Sequence, residues 1–283
     1  MRWRNSRRSG NVQDRRGMAG GLGIGGGATL VVVLAVWLLG GDPGQVLQLL
    51  SGGGGPAESE AGPPPADDET GQFLSAVLGM TEDVWGELFA DGGSTYPPPT
   101  MVLFSDAVRS ACGSASSATG PFYCPPDQSL YLDTDFFAEL ARMGGPGDFA
   151  RAYVIGHDVG HHVQNVAGTL ERAARMQGSA TSDAEANRIQ VLVELQADCY
   201  AGVWAHHANR RARVLEPGDV EEGLSAAAAI GDDRLARRSG RDISPESFTH
   251  GSSEQRARWL RTGLDTGDVD ACDTFAEGAD RAP

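Results

Sequence analysis

The sequence contains no lysine, so all 23 of its basic residues are arginine. Together with the 39 glycines and the many alanines, this indicates a codon bias rather than a chemical requirement. Basic residues are also scarce beyond the N-terminus. Residues 1–17 carry a net charge of +5, and since the whole chain carries −15, the remainder carries −20. Such an acidic body argues against a nucleic-acid partner, because phosphate binding requires a basic surface.

Two familiar catalytic or metal-binding patterns are also missing. The four cysteines show no C-x-x-C spacing, which argues against a zinc site built on cysteine. No G-x-S-x-G motif occurs either, so a hydrolase with a serine or cysteine nucleophile is disfavoured. The even number of cysteines favours disulfides in an exported domain, with free buried thiols as the alternative. Three pairings are open, although the Gly/Ser-rich loop between Cys112 and Cys124 favours a local bridge, which would leave Cys199 and Cys272 as the second pair.

One long hydrophobic stretch follows the basic N-terminus. Residues 17–41 carry no charge and end in the run ATLVVVLAVWLL, residues 28–39. Because a membrane helix requires about 20 predominantly apolar residues, we interpret residues 18–40 as an uncleaved transmembrane anchor. A cleaved signal peptide and a buried apolar segment are the alternatives. The preceding arginines predict a cytoplasmic N-terminus, with everything after residue 41 outside.

Composition divides the chain into four parts. Residues 1–17 are a basic cytoplasmic tail, 18–40 the transmembrane anchor and 41–69 a flexible linker rich in glycine, proline and acids. Residues 70–283 form one folded domain of ordinary size. The predicted localisation is therefore the cell membrane, with a single pass and an extracytoplasmic domain.

The folded domain is expected to be α+β and mainly α-helical, with a small sheet. Apolar periodicity predicts helices over about 148–166, 183–209, 217–238 and 252–263. Strands are predicted over 100–105 and 129–133. We expect this domain to be preceded by one transmembrane helix.

The stretch GHDVGHH, residues 156–162, holds three of the six histidines. Within the predicted helix His157 and His161 are four residues apart, so both imidazoles project from one face, within reach of one ion. Zinc suits this pair, because catalytic zinc sites use three protein ligands and a water. Two surface histidines are the alternative. The preceding apolar residues, with Gly156 and Gly160 beside the pair, favour a buried site that a ligand or backbone approaches closely.

The next predicted helix offers a third ligand. In VELQADCYAGVW, Glu194 and Asp198 have the same spacing and share one face of an apolar segment. Acids in such a segment are costly unless they are paired or metal-bound. The economical assignment makes Glu194 a ligand and Asp198 an acceptor for the free N–H of a ligand histidine. Exposure of both acids on the solvent-facing side is the alternative.

Four blocks of sequence extend this pattern: YVIGHDVGHHVQNVAG, VELQADCYAGVWAHHA, GPFYCPPDQSLYLDTDFF and FTHGSSEQRARW. In this combination the chain resembles the neutral zinc metallopeptidase family of bacterial envelope proteins, over essentially all of residues 70–275. The resemblance extends to the N-terminal basic segment and the membrane span. It implies a zincin-like fold, two disulfides in an exported domain, and Zn²⁺ held by His157, His161 and Glu194 with Asp198 in support.

The departure from the family is Asp158, where the family normally carries glutamate. In a zinc hydrolase this carboxylate takes a proton from the activated water and returns it to the leaving amine. Aspartate has the same acid chemistry but is shorter by one methylene. A general base must lie about 2.6–3.2 Å from the water, directly or through one more water. We therefore predict that zinc binding survives and that turnover is reduced.

The predicted function is a membrane-anchored zinc metallopeptidase that hydrolyses extracytoplasmic proteins or peptides through a zinc-activated water. The alternative is a catalytically inactive, zinc-binding scaffold or interaction domain, which Asp158 would explain. His250 is a candidate to stabilise the oxyanion of the tetrahedral intermediate, with a loop-ordering hydrogen bond as the alternative. An extended peptide is expected to add beside the strand at 129–133. Tyr153 is expected in the core, and His162 in a packing or surface role.

Overall fold

The computed structural model describes residues 1–17, 61–240 and 242–276 of the chain. These residues are mainly helical with two small sheets, as predicted. The helices are α1 (Glu69–Asp91), α2 (Phe136–Met143), α3 (Asp148–Val166), α4 (Thr169–Gly178), α5 (Asp183–Ala212), α6 (Asp219–Ala229), α7 (Asp232–Arg238) and α8 (Ser253–Thr266), with 3-10 turns at Ser117–Thr119, Pro245–Ser247 and Asp270–Cys272.

The strands form a four-stranded sheet and a separate hairpin. They are β1 (Val12–Asp14), β2 (Thr100–Phe104), β3 (Ala107–Ser110), β4 (Gly113–Ser116), β5 (Phe122–Cys124) and β6 (Ser129–Asp133). The larger sheet has the order β1-β2-β6-β5, in which only β5 is antiparallel to its neighbour, and β3 pairs with β4. β6 therefore lies inside the sheet. The expectation that residues 129–133 present a free edge is wrong, because β5 covers that side.

Close contact between α3 and α5 brings the two predicted ligand helices together. A Cβ atom at Gly160 would lie 2.8 Å from the carbonyl oxygen of Ala197, and one at Gly156 would lie 2.8 Å from the Trp204 ring. Neither position has room for a side chain, so the two glycines allow the helices to approach. His157 and His161 thereby face Glu194 across the interface.

Helix α8 packs on the opposite side of α5, and glycines again allow the close approach of the two helices. A Cβ at Gly263 would lie 2.0 Å from the carbonyl oxygen of Cys199, and one at Gly202 would lie 2.3 Å from that of Leu260. The chain after α8 is joined to α5 by the disulfide Cys199–Cys272. The second bridge, Cys112–Cys124, joins β5 to the loop after β3. The predicted disulfide bonds are therefore present.

Residues 1–17 lie against the folded domain. Trp3 is buried and packs edge-to-face on Phe73 of α1, with ring centroids 5.4 Å apart. Arg7 forms ion pairs with Glu82 and Asp83 on the same helix. β1 adds a parallel strand to β2. The N-terminal arginines thus neutralise acids of the domain.

This packing corrects the predicted localisation and, within the predicted fold class, the transmembrane helix alone. No helix within residues 1–17, 61–240 and 242–276 is long and apolar enough to cross a membrane. The predicted transmembrane helix, residues 18–40, lies outside the described residues, as does 41–60 of the predicted linker. A single crossing between residues 17 and 61 would place the two flanking segments on opposite sides of a membrane, where they could not pack together. The single-pass arrangement with a cytoplasmic N-terminus is therefore wrong.

Candidate metal centre

Three donor atoms converge between α3 and α5. The Nε2 atom of His157 lies 3.2 Å from Oε2 of Glu194, and the Nε2 atom of His161 lies 3.5 Å from the same oxygen. All three side chains are nearly buried, with 9 to 15% of their surface exposed. They form the one group of at least three His, Cys, Asp or Glu side chains spaced to hold a metal ion in the described part of the chain.

The spacing of these atoms fits zinc. Ligands about 2.0–2.1 Å from a tetrahedral ion lie about 3.3 Å from one another, between the two distances seen here. Each imidazole gives its Nδ1 to an acceptor, Asp198 for His157 and Gln164 for His161. Both Nε2 atoms are then directed at one carboxylate oxygen, a contact that is satisfied either by a proton on the ring or by a metal cation shared between the donors. The residues present therefore fit a zinc ion.

The support of His157 is ionic. Its Nδ1 lies 2.8 Å from Oδ1 of Asp198, which is fully buried and also accepts the Tyr153 hydroxyl at 2.5 Å. Arg256 donates to both oxygens of the same carboxylate, Nε to Oδ2 at 2.9 Å and Nη2 to Oδ1 at 3.0 Å. Asp198 is thus an oriented, charge-balanced acceptor for the ligand ring.

The support of His161 consists of neutral amides. Its Nδ1 lies 2.9 Å from Oε1 of Gln164, whose Nε2 donates to the backbone oxygen of Val193 at 2.8 Å. That second bond fixes the orientation of the amide. The Gln164 amide also donates to Gln196, which donates in turn to the backbone oxygen of Cys272 at 3.0 Å. These contacts, from His161 through Gln164 and Gln196 to Cys272, form an amide relay.

Glu194 has a support of its own. Its second oxygen, Oε1, accepts Nε2 of Gln190 at 2.9 Å, and Gln190 accepts in turn from Gln177 at 3.1 Å. With Oε1 engaged, Oε2 is left facing the two imidazoles. Each of the three donors is therefore held by a separate partner.

The charges of the group favour a cation. Burial opposes ionisation of Glu194, but His161 and His157 outweigh it and hold the pKa of Glu194 well below its usual value. Burial likewise opposes ionisation of Asp198, and Arg256 and His157 keep its pKa low. Burial disfavours the charged ring of His157, yet Asp198 and Glu194 raise the pKa of His157 to about 9. Two ionised carboxylates thus surround the imidazoles.

Asp158 lines the same cavity as the three donors. Burial raises the pKa of its carboxyl to about 6, although His157 and His161 act in the opposite direction. The cavity has a volume of about 570 Å³, and its wall includes Phe122 and Tyr123 of the edge strand β5. Asp158 is thus a carboxylate of raised pKa, beside the donor group and open to a cleft.

Comparison with known proteins decides the family. Residues 1–275 match the family described as "Putative neutral zinc metallopeptidase". The chain belongs to this family. Its match starts at residue 1, so the N-terminal segment that packs on the domain is part of the family's shared sequence.

The names of the relatives of this zinc metallopeptidase family member do not state an activity. "Uncharacterized protein YpfJ" of Escherichia coli K12 is 43% identical over 287 residues, which cover 98% of this chain and 99% of the relative. "Uncharacterized protein Rv2575" of Mycobacterium tuberculosis H37Rv is 47% identical over 193 residues, 64% of each chain. "Uncharacterized protein Mb2605" of Mycobacterium bovis matches to the same extent. No solved structure matches the chain with significance.

His250 also lines the cavity of this metallopeptidase family member. Its side chain is half exposed, and its Nδ1 lies 3.4 Å from Oδ1 of Asp232. The other oxygen of Asp232 accepts the backbone N–H groups of Thr249, His250 and Gly251 at 2.7 to 3.1 Å. The loop that carries His250 is thereby fixed to the start of α7.

The four supporting residues Tyr153, Gln164, Gln190 and Arg256 were not found from the sequence. Three of them carry a local signal, because each lies three or four residues from a ligand on the same helix face. Tyr153 precedes His157 by four, Gln164 follows His161 by three, and Gln190 precedes Glu194 by four. Arg256 has no such signal, since it comes from α8.

Tyr153 and His162 were predicted to have structural roles. Tyr153 is buried, as expected, but its hydroxyl also forms a hydrogen bond to Asp198. His162 is directed away from the donor group: its Nε2 lies 2.6 Å from the backbone oxygen of Pro97, and its Nδ1 lies 3.0 Å from the hydroxyl of Tyr123. His162 therefore packs α3 against the edge strand.

Proposed function

We propose that this chain is a zinc metallopeptidase that hydrolyses peptide bonds in proteins or peptides. The observation that carries the proposal is the donor group of His157, His161 and Glu194 at the wall of a cleft, with both histidine-to-glutamate distances close to those of a tetrahedral site. Membership of a family described as zinc metallopeptidases supports it. The chain carries a net charge of −15, so we propose no nucleic-acid partner.

The chemistry divides between the ion and the residues of the chain. A zinc ion held by the three donors would supply a Lewis acid for a water and for the carbonyl of the scissile bond. Asp158 would serve as the general base, taking a proton from the attacking water and giving it to the leaving amine.

The length of Asp158 sets the expected rate. Aspartate falls one methylene short of the glutamate that the H-E-x-x-H pattern would place here. A misplacement of about 1 Å can cost on the order of 100-fold in rate. We therefore propose reduced turnover rather than a different reaction.

His250 and the edge strand complete the proposal. His250 lines the cavity on a loop fixed by Asp232, which supports the proposal that it donates to the developing oxyanion. β5 has one neighbour, β6, in the described sheet, and its residues Phe122 and Tyr123 line the cavity. An extended peptide can pair with such an edge, which is the proposed mode of substrate binding.

The test uses the full chain, produced in an oxidising compartment, because residues 1–17 pack on the domain. Bound zinc and casein cleavage are measured for the native chain, Asp158→Glu and His161→Ala. His207→Ala is the control, since His207 contacts the backbone of Gly267, and neither residue lines the cavity. We expect about one equivalent of zinc and slow cleavage in the native chain, faster cleavage in Asp158→Glu, and loss of both in His161→Ala.

Two outcomes would contradict the proposal in different ways. Zinc binding with cleavage in Asp158→Glu alone would favour the inactive scaffold, the alternative that Asp158 itself suggests. Absence of zinc from the native chain would exclude both functions.

A further inference from the structure

Arg256 is a buried charge behind the candidate metal centre. Its side chain is 2% exposed, and such a guanidinium is costly to bury unless its N–H groups are paired. Nε and Nη2 form a fork on the Asp198 carboxylate, at 2.9 and 3.0 Å. Nη2 also donates to the Tyr153 hydroxyl at 3.2 Å, and Nη1 to the backbone oxygen of Ile230 at 3.4 Å. Arg256 therefore has a defined position.

The fork decides which way the Asp198 carboxylate faces. Oδ2 is engaged by Nε of Arg256, while Oδ1 receives His157 at 2.8 Å and Tyr153 at 2.5 Å. A carboxylate without the fork could rotate about its Cβ–Cγ bond and exchange its oxygens. A planar guanidinium resists that rotation because it binds both oxygens at once.

The fork also balances charge. Glu194, Asp158 and Asp198 bring three carboxyl groups to one buried region. Glu194 and Asp158 face the cleft, whereas Asp198 is fully buried with Arg256 beside it. The guanidinium of Arg256 therefore compensates the one of these three carboxylates that does not line the cleft.

Arg256 further ties two parts of the site together. It lies in the first turn of α8, whose N-terminus is fixed by a reciprocal capping pair between Ser252 and Gln255. His250 stands two residues before that cap. The fork thus joins the helix that follows His250 to Asp198, the partner of the ligand His157.

We propose that Arg256 is a positioning residue for the metal centre: through Asp198 it fixes the His157 ring in its ligand orientation. Arg256 acts without contact to the reacting atoms. The inference rests on the proposed zinc function, and it assigns a role to a residue outside the H-x-x-x-H and E-x-x-x-D patterns.

The experiment compares Arg256→Met and Arg256→Lys with the native full chain. Arg261→Met is the matched control, since Arg261 is an exposed arginine of the same helix. Zinc affinity is measured by competition with a chromophoric chelator, and the ligand geometry by the visible absorption of the Co²⁺-substituted protein. Folding is checked by circular dichroism.

We expect Arg256→Met to lower zinc affinity by about 10–100-fold, the usual cost of losing an outer partner of a metal ligand, and to change the Co²⁺ spectrum. Arg256→Lys should recover part of the affinity, because an ammonium keeps the charge but not the fork. In the Asp198→Asn background the same substitutions should have little additional effect. Should Arg256→Met fail to fold, Arg256→Lys decides the question.

Native zinc affinity and a native Co²⁺ spectrum in a folded Arg256 variant would overturn the inference while leaving the proposed peptidase intact. A native chain that binds zinc with the expected Arg256 dependence but cleaves no peptide would overturn the peptidase alone. A native chain that binds no zinc would overturn both.

Discussion

The two histidines proposed as metal ligands, His157 and His161, differ in the groups that hold their rings. His157 is held by charged groups. Its ring contacts the buried Asp198 carboxylate, which is paired with the buried Arg256 guanidinium. His161 leans on the amide relay, which ends at the backbone of a disulfide-bonded cysteine. The two supports have the same effect, because each fixes Nδ1 of its histidine as the donor and leaves Nε2 available to a metal.

The difference teaches how each support would fail. An ionic partner is costly to break, because removal of one member leaves the other charge buried. Removal of a neutral amide costs less stability. An amide that loses its hydrogen-bond acceptor can rotate, however, so each contact of the amide relay is required to hold its orientation. The ionic side should therefore respond most strongly to a single substitution, and the relay most gradually.

The largest effect is expected for Asp198→Asn. This change keeps the shape of the side chain but leaves Arg256 as an uncompensated buried charge. Breaking such a pair costs about 3–5 kcal/mol of unfolding free energy, measured by urea denaturation of the zinc-free chain. Asp232→Asn is a matched control, because the Asp232 side chain is less buried, with 16% of its surface exposed. Equal losses in the two variants would refute the special cost of the ionic support.

The two disulfides provide the next comparison. Cys199–Cys272 closes 73 residues and Cys112–Cys124 closes 12. Chain entropy gives about 4 kcal/mol for the first and about 3 kcal/mol for the second. The paired serine variants of each bridge should lose thermal stability in that order.

Zinc affinity separates the bridges more sharply. Cys272 supplies the final acceptor of the amide relay, whereas Cys112–Cys124 has no link to it. Only the Cys199→Ser, Cys272→Ser variant should bind zinc more weakly at a temperature where both variants are folded. A similar loss in the other variant would argue that the relay does not transmit the change.

The sequence predicted those parts of the site in which two residues lie on the same helix. His157 with His161, and Glu194 with Asp198, lie one turn apart, so helical geometry alone brings each pair to one face. Arg256 contacts Asp198 across 58 residues of sequence, and Cys272 meets Gln196 across 76. Such contacts depend on how α8 and the segment after it pack on α5, which periodicity does not encode.

The membrane prediction shows the same limit. The rule that relates arginines to membrane topology counts them along the sequence and takes no account of their partners in the folded chain. Here Arg7 pairs with Glu82 and Asp83, more than 70 residues away. The edge strand was also missed, because β5 has three residues and no clear alternation. Short strands owe their structure to the neighbour they pair with.

A moderate effect is expected for Gln164→Met. This side chain fills similar space but removes the acceptor of His161 and the donor to Val193. Loss of these buried bonds should cost about 1–3 kcal/mol of stability and about 10-fold in zinc affinity. Gln164→Glu offers the opposite change, since it would give His161 an ionic partner like that of His157. Isothermal titration with zinc compares the two variants directly, and an identical affinity in both would show that the charge of the support is irrelevant.

The smallest effect is expected at the far end of the relay, in Gln196→Met. Gln196 contacts no ligand, and its loss leaves Gln164 still bonded to Val193. The Gln164 amide should therefore keep its orientation in most molecules, with a loss of about 1 kcal/mol in stability and a few-fold loss in zinc affinity. Gln177→Met is the matched control, because Gln177 stands equally far from Glu194 through Gln190. A loss at Gln196 as large as at Gln164 would mean that the backbone of Cys272, rather than Val193, fixes the ring of His161.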